Sequence, residues 1–191
     1  MRKIIASEFV SADGYMVGPS EDMSWVMGNF NAEKGKYAGD LIASMDTVML
    51  GRVTYEIMAS AWPNWTEQES PGSDKMNNSQ KVVLSKTLEK AAWGKYAPAL
   101  IIKENVEQKI RELKEKPGKN IVIYGSGKLV QSLTELGLID EYQLLVHPVF
   151  LGGGKLLFGP LQMRKELKHL KTQTFGNGVN VLCYEPRSKL G

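Results

Sequence analysis

The sequence predicts an α/β fold: a central, mostly parallel sheet with antiparallel strands at its C-terminal edge. Three observations predict it. Short apolar runs alternate with segments of helical period through most of the chain. Several of those runs end at glycine-bearing turns that lead straight into a helix. Beyond Leu138 the helical periods stop, and strand-like runs follow one another, the last two flanking Gly176-Asn177-Gly178, a hairpin signal.

Each element has its own reason. Arg2 to Phe9 reads as the first strand. Asn31 to Ser44 reads as a helix that ends before the buried-type run Thr47-Val48-Met49-Leu50. A helix from about Thr54 to Ala59 follows, then the apolar strands Lys81 to Leu84 and Ala99 to Ile102. Val106, Ile110 and Leu113 give Glu104 to Lys116 a helical face, and Pro117-Gly118 stops it. Asn120 to Tyr124 is a strand. Leu129, Val130, Leu133 and Leu136 mark the next helix, with Gly137 as its C-terminal stop. Glu141 to Phe150, Leu167 to Phe175 and Val179 to Glu185 are the late strands. The polar stretch Trp62 to Ser79 reads as an exposed excursion.

The 191 residues fit a single domain. A hydrophobic fraction of 42% and a charged fraction of 24% are those of a globular protein. The net charge of +3 is spread in alternating sign along helices, so a small anionic ligand is expected and nucleic acid is not. The basic start Met1-Arg2-Lys3 is followed by too short an apolar run for a signal peptide, and no stretch is long enough to span a bilayer. A cytoplasmic location is expected. Cys183 is the one cysteine, lying in an alternating apolar run that suits a buried thiol. His147, His169 and Cys183 lack metal-ligand spacing, and no metal is expected.

Chemistry concentrates at three turns. In the first, Val48-Met49-Leu50 runs into Gly51-Arg52-Val53-Thr54, and a helix start offers free N–H groups and a positive dipole end to a pyrophosphate. Arg52 adds a planar cation, and Thr54 donates a hydroxyl to phosphate or caps the helix. A capped helix with a surface arginine accounts for this turn equally well. In the second, Ser85 and Lys86 leave a strand end where a 2′-phosphate of adenosine would select NADPH over NADH; a solvated loop is the plain alternative. In the third, Gly125-Ser126-Gly127 lets backbone approach a ligand closely before the Leu129 helix. Lys128 is followed by Leu129, which excludes a P-loop, and Val130 stands where a dinucleotide fingerprint needs its third glycine.

Taken together, these pieces carry a family likeness. Ala12-Asp13-Gly14-Tyr15-Met16-Val17-Gly18, the Gly51-Arg52-x-Thr54-x-Glu56 turn, Leu84-Ser85-Lys86 and Gly125-Ser126-Gly127 resemble dihydrofolate reductases in order and spacing. Leu138-Ile139-Asp140-Glu141 through Pro148-Val149-Phe150-Leu151-Gly152-Gly153-Gly154 to Leu157-Phe158 resembles the RibD C-terminal family of pyrimidine reductases. The likeness spans roughly Lys3 to Tyr184. It implies a dihydrofolate-reductase-like three-layer α/β/α fold, NADPH as cofactor, a small-molecule substrate and a homodimer.

Position by position, the resemblance implies that Gly51, Arg52 and Thr54 hold phosphates and that Ser85 and Lys86 flank the adenosine. It has Gly125, Ser126, Gly127 and Leu129 line the pyrophosphate and ribose, and Val17 and Gly18 face the nicotinamide. Met23-Ser24-Trp25 would form a mobile loop over it, with Trp25 on the substrate. Folate reductases carry an acid about five residues past that tryptophan. Here Phe30 falls at or near the place, between Asn29 and Asn31, which disfavours dihydrofolate reduction. The implied substrate is a 5-amino-6-(5-phosphoribosylamino)uracil-like or pterin-like molecule. Asp13 is then the polar group left for catalysis or substrate binding, or else a plain Asp-Gly turn. Gly153 and Lys155 would shape the substrate mouth, with Lys155 on a phosphate, or form a flexible loop. Trp62, Trp65 and Trp93 would be pocket walls or dimer contacts. Two rivals stand beside the reductase: a relative that binds NADPH without turnover, and a reductase of dihydrofolate or another imine or carbonyl.

Overall fold

The computed structural model describes residues 1–159, 161 and 164–187. Its strands are β1 (Ile4–Ser11), β2 (Tyr15–Val17), β3 (Met45–Gly51), β4 (Gln80–Leu84), β5 (Leu100–Ile102), β6 (Asn120–Tyr124), β7 (Glu141–His147), β8 (Lys155–Leu156), β9 (Leu167–Thr174) and β10 (Asn180–Pro186). Its helices are α1 (Ser24–Met27), α2 (Ala32–Ser44), α3 (Arg52–Ala61), α4 (Ser73–Asn78), α5 (Val106–Glu115) and α6 (Gly127–Glu135). One sheet has the order β5-β4-β3-β6-β1-β7-β10-β9, and β2 pairs with β8 apart from it. From β5 to β7 every pairing is parallel, while β10 runs antiparallel to both β7 and β9. The predicted three-layer α/β/α fold is the observed one.

Both faces of the parallel part are covered, so its strands are apolar on both sides. Ile4 and Ala6 share one core with Met49, Ile121 and Ile123 under α5 (Ile110, Leu113) and α6 (Leu129, Val130, Leu133). Ile5 packs on the other face with Val48, Leu50 and Val122 under α2 (Leu41, Ile42), α3 (Tyr55) and α4 (Met76). Burying each such side chain contributes about 1.5–3 kcal/mol. Asn31 caps α2 by accepting the Lys34 amide at 2.9 Å, and Gly137 leaves α6 at φ 65° as expected of a helix stop. The Gly176-Asn177-Gly178 turn closes the β9–β10 hairpin, with the Phe175 amide bonded to Val179.

Four expectations need correction. The stretch Trp62 to Ser79 is exposed only in part. It contains α4, in which Ser73, Met76 and Asn77 are buried. The Asn77 amide nitrogen donates to the Trp62 carbonyl at 2.9 Å, and its oxygen accepts from Trp93 Nε1 at 2.7 Å. Polar residues that resemble a loop in sequence are thus satisfied inside. Trp93 is fully buried and belongs to the core, neither wall nor contact; Trp62 packs against the same cluster, and Trp65 remains exposed. Ser24-Trp25 opens a helical turn, with the Asp22 carboxylate accepting the Ser24 amide at 2.9 Å, in place of a loop. Strand β7 stops at His147, before Pro148, which has no N–H to continue the ladder. Among the described residues, no helix is long and apolar enough to cross a membrane.

Candidate functional site

The topology itself marks a place. From β1 the chain crosses one face through α2 and enters β3, beyond β6. From β6 it crosses the other face through α6 and enters β7, beyond β1. The two connections leave neighbouring strands in opposite directions, so a crevice opens at the carboxyl ends of β6 and β1, where open α/β sheets take ligands. A hollow of about 590 Å³ lies away from this edge along α5, beside the exposed Glu107–Arg111 pair.

The three turns singled out in the sequence end three adjoining strands, β4, β3 and β6. Gly51 begins α3 and Ser126 begins α6, and neither helix start has a side-chain cap. Their first amides therefore remain free for an anion. The two turns are tied to each other. The Gly51 amide donates to Ser126 Oγ at 3.0 Å, Ser126 Oγ donates to the Tyr124 carbonyl at 3.0 Å, and Thr54 Oγ1 donates to the Gly125 carbonyl at 2.9 Å. The Thr54 hydroxyl thus joins the turns and neither caps α3 nor stands free for phosphate. Gly125 has φ 57°, a left-handed conformation that suits glycine. Gly127 is needed for another reason: the Met16 sulfur occupies the space a side chain would fill.

Arg52 is exposed and bonds Glu56 at 3.0 Å, one turn along the helix. Ser85 Oγ accepts the Thr87 and Leu88 amides at 3.3 and 3.1 Å, and Lys86 beside it is exposed. Leu129 is buried in the core below α6 and does not line the edge, because the helix turns its apolar face to the sheet. Val17 is half-buried and pairs with Lys155 between β2 and β8, while Gly18 is buried, its amide bonded to Asp22.

Asp13 does not reach toward a ligand. Its carboxylate accepts Ser11 Oγ at 2.6 Å, the Gly152 amide at 2.8 Å and the Leu151 amide at 3.2 Å, tying the β1–β2 turn to the loop after β7. The Ser11 hydroxyl first, then the Gly152 and Leu151 amides, hold its carboxyl below the usual range. So held, it is an anion and has no proton to give. Lys155 is likewise engaged, bonding Glu21 at 2.7 Å across the surface, and Gly153 lies against Pro19.

Beside this edge, over β1 and β7, sits a pair that sequence reasoning missed. Lys34 of α2 is buried, and its ammonium donates to the Val26 carbonyl at 2.9 Å and to His147 Nε2 at 2.9 Å. It lies 4.6 Å from the centre of the Phe9 ring and 5.8 Å from that of Phe30. His147 Nδ1 meets the Leu145 carbonyl at 2.9 Å. A carbonyl only accepts, so Nδ1 carries the proton and Nε2 receives the lysine. The Trp25 ring meets His147 edge-on at 4.9 Å. No carboxylate pairs with Lys34 among the described residues, and burial pushes its ammonium down to about 8. Burial first, and then the Lys34 charge, pushes His147 down as well. Phe30, at or near the place where folate reductases carry an acid, is exposed and lies toward the lysine.

The model of the RibD C-terminal domain matches residues 2–181. The chain belongs to the RibD C-terminal domain family. An uncharacterized protein of Bacillus subtilis, YyaP, is 31% identical over 188 residues, 96% of this chain and 94% of that one. A riboflavin biosynthesis protein from Shewanella superposes with a TM-score of 0.79 at 23% identity, covering 97% of this chain and 99% of the other. A dihydrofolate reductase of Enterococcus faecalis, solved with NADP(H), gives 0.62 at 13% identity and covers 97% of each. At such identities these two solved structures show that a RibD C-terminal chain shares the dihydrofolate-reductase-like fold.

Proposed function

We propose that the protein is an NADPH-dependent reductase that delivers hydride to an aminopyrimidine ribosylamine or pterin-like substrate. One observation carries this reading. Two uncapped helix starts, α3 and α6, are bonded together at adjoining strand ends beside a crevice, with a buried cation on the far side of it. The free amides suit a pyrophosphate, and the exposed Arg52 and Lys86 suit the adenosine 2′-phosphate. The cofactor supplies the hydride when bound. Membership in the RibD C-terminal family and the NADP(H) of the Enterococcus reductase support that choice of cofactor.

On this reading the proton comes from Lys34. Opening of the ribosylamine ring breaks the ring C–O bond, moves the amine proton to that oxygen and leaves a C=N bond. Its reduction adds hydride to carbon and a proton to nitrogen, and that nitrogen needs a donor held out of water. Lys34 has three N–H bonds, of which Val26 and His147 take two. The third is left for substrate, and an ammonium near 8 is matched to proton transfer at neutral pH. Trp25 and Phe30 supply the apolar cover. A homodimer goes with this family reading, and the exposed outer strand β9 is one of the two edges of the sheet among the described residues.

The test has two parts. NADPH should raise the melting temperature more than NADH at equal concentration, since only a ligand bound to the native state stabilises it. NADPH should then be oxidised in the presence of 5-amino-6-(5-phosphoribosylamino)uracil. Stabilisation without oxidation of cofactor would favour the rival of a binding protein without turnover.

A further inference from the structure

Glu8 is fully buried in the carboxyl half of β1, on the α6 face of the sheet, and neither carboxyl oxygen has a hydrogen-bond partner among the described residues. The neighbouring strand β6 ends level with it, since Ser7 pairs with Tyr124. The Gly125 and Ser126 amides stand beside the carboxyl and favour its charged form, yet neither completes a bond of normal geometry. They lie just before the first turn of the nine-residue helix α6: Ser126 is its N-cap residue, with no side-chain cap bond, and Gly125 precedes it. Burial outweighs them and pushes the carboxyl up to about 8, with no charged side chain contributing.

The surroundings are known on each side. Strand β6 turns the Tyr124 side chain to the opposite face, against the α2 core; its phenol, without a hydrogen-bond partner among the described residues, is pushed up by burial and then by Glu8 across the sheet. From α6 comes Lys128, whose side chain is exposed. Strand β7 sets Leu144 opposite Glu8, and β2 lays Met16 against Gly127. An anion-binding helix start is thus built around a removable anion of its own.

We propose that Glu8 is a cofactor-binding residue whose proton is part of the site: a pyrophosphate-bridged dinucleotide takes the Gly125 and Ser126 amides only when Glu8 is neutral. The ionised carboxylate and a pyrophosphate are both anions competing for the same two amides, in surroundings where charges are poorly screened. Binding therefore selects the protonated acid, and above its titration range each bound dinucleotide takes up one proton. This inference rests on the reductase reading for the identity of its ligand.

Calorimetric titration of the intact chain with NADPH from pH 6 to 9.5, in two buffers of different ionisation heat, tests it. Above about pH 8 the affinity should fall tenfold per pH unit, with close to one proton taken up at pH 9. The 2′-phosphate of NADPH titrates near 6, well below the range above pH 8 in which the slope is read. Glu8→Gln keeps the shape without the charge and should bind with no such slope. Lys34 titrates in the same range on the opposite face, and Lys34→Met should keep the slope. An unchanged slope in Glu8→Gln, or wild-type binding without proton uptake, overturns the inference and leaves the cofactor reading standing. No NADPH binding even at pH 6 overturns both. Should Glu8→Gln fail to fold, wild-type proton uptake decides alone.

Discussion

At the carboxyl ends of β3 and β6 the free polar groups facing the crevice belong to the main chain, whereas over β1 and β7 they belong to Lys34 and His147, with Phe9, Trp25 and Phe30 around them. The first region has almost no buried charge to neutralise, because helix starts carry only partial charge. The second buries a full cation without a carboxylate beside it. Burying an unpaired ion is costly, and a chain that keeps one does so against its own stability. On the proposed reading the contrast separates a region that holds the cofactor from one that reacts.

The largest effect that would sharpen this contrast is expected from Lys34→Met. Turnover of the aminopyrimidine substrate should fall by about 10²–10⁴-fold, the usual worth of a positioned acid, while NADPH affinity changes little. Lys81 is the control: it is equally buried, also pushed down to about 8, and donates to the Asn77 carbonyl at 2.6 Å, but it sits at the amino end of β4. Lys81→Met should leave turnover intact in the protein that remains folded. In the wild type, turnover should decline as pH rises through 8, where the Lys34 proton is lost. Stability should move the opposite way. Below 8 both folded and unfolded chains hold that proton, and the burial cost stands in full. Between 8 and the ordinary lysine value of 10.5 the folded chain releases it first, so this group's contribution to stability rises with pH and is absent in Lys34→Met.

A smaller change is expected from the phosphate side. Arg52→Ala or Lys86→Ala should weaken NADPH by about 10–100-fold in fluorescence titration and NADH far less, as loss of a charge-assisted contact does. Equal losses for the two cofactors would remove the adenosine assignment. Ser126→Ala comes next. It breaks the bridge between Gly51 and Tyr124, leaves the Gly51 amide unpaired, and should cost about 1–3 kcal/mol in denaturant unfolding. The smallest effect belongs to Lys155→Ala. Its pairing with Glu21 is largely exposed, so screening by water leaves at most about 1 kcal/mol, and turnover should stay as it was if the residue holds no substrate phosphate.

The same contrast explains what the sequence revealed. The side proposed for phosphate is written in contiguous residues, strand then glycine then helix, so Gly51, Arg52, Ser126 and the sheet they end could be read directly. The helix from Asn31 and the hairpin at Gly176-Asn177-Gly178 were legible for the same local reason. Lys34 and His147 lie 113 residues apart, and only the adjacency of β1 and β7 brings them together. A lysine in a helix otherwise resembles any surface lysine, and the signal that was available, its place three residues after the Asn31 cap on the buried side, is weak. Asp13 misled in the opposite sense, because an Asp-Gly turn at a strand end does not reveal that Ser11, Leu151 and Gly152 already claim its oxygens. Leu129 misled because adjacency to a glycine turn does not fix which way a helix residue points.

Amide NMR during a titration with NADPH tests the central claim most directly. The amides of Arg52, Val53, Thr54, Gly125, Ser126 and Gly127 should shift together along one saturable curve, reached at lower concentration with NADPH than with NADH. Shifts confined to α5 or β9, or these six amides unmoved at saturation, would contradict it.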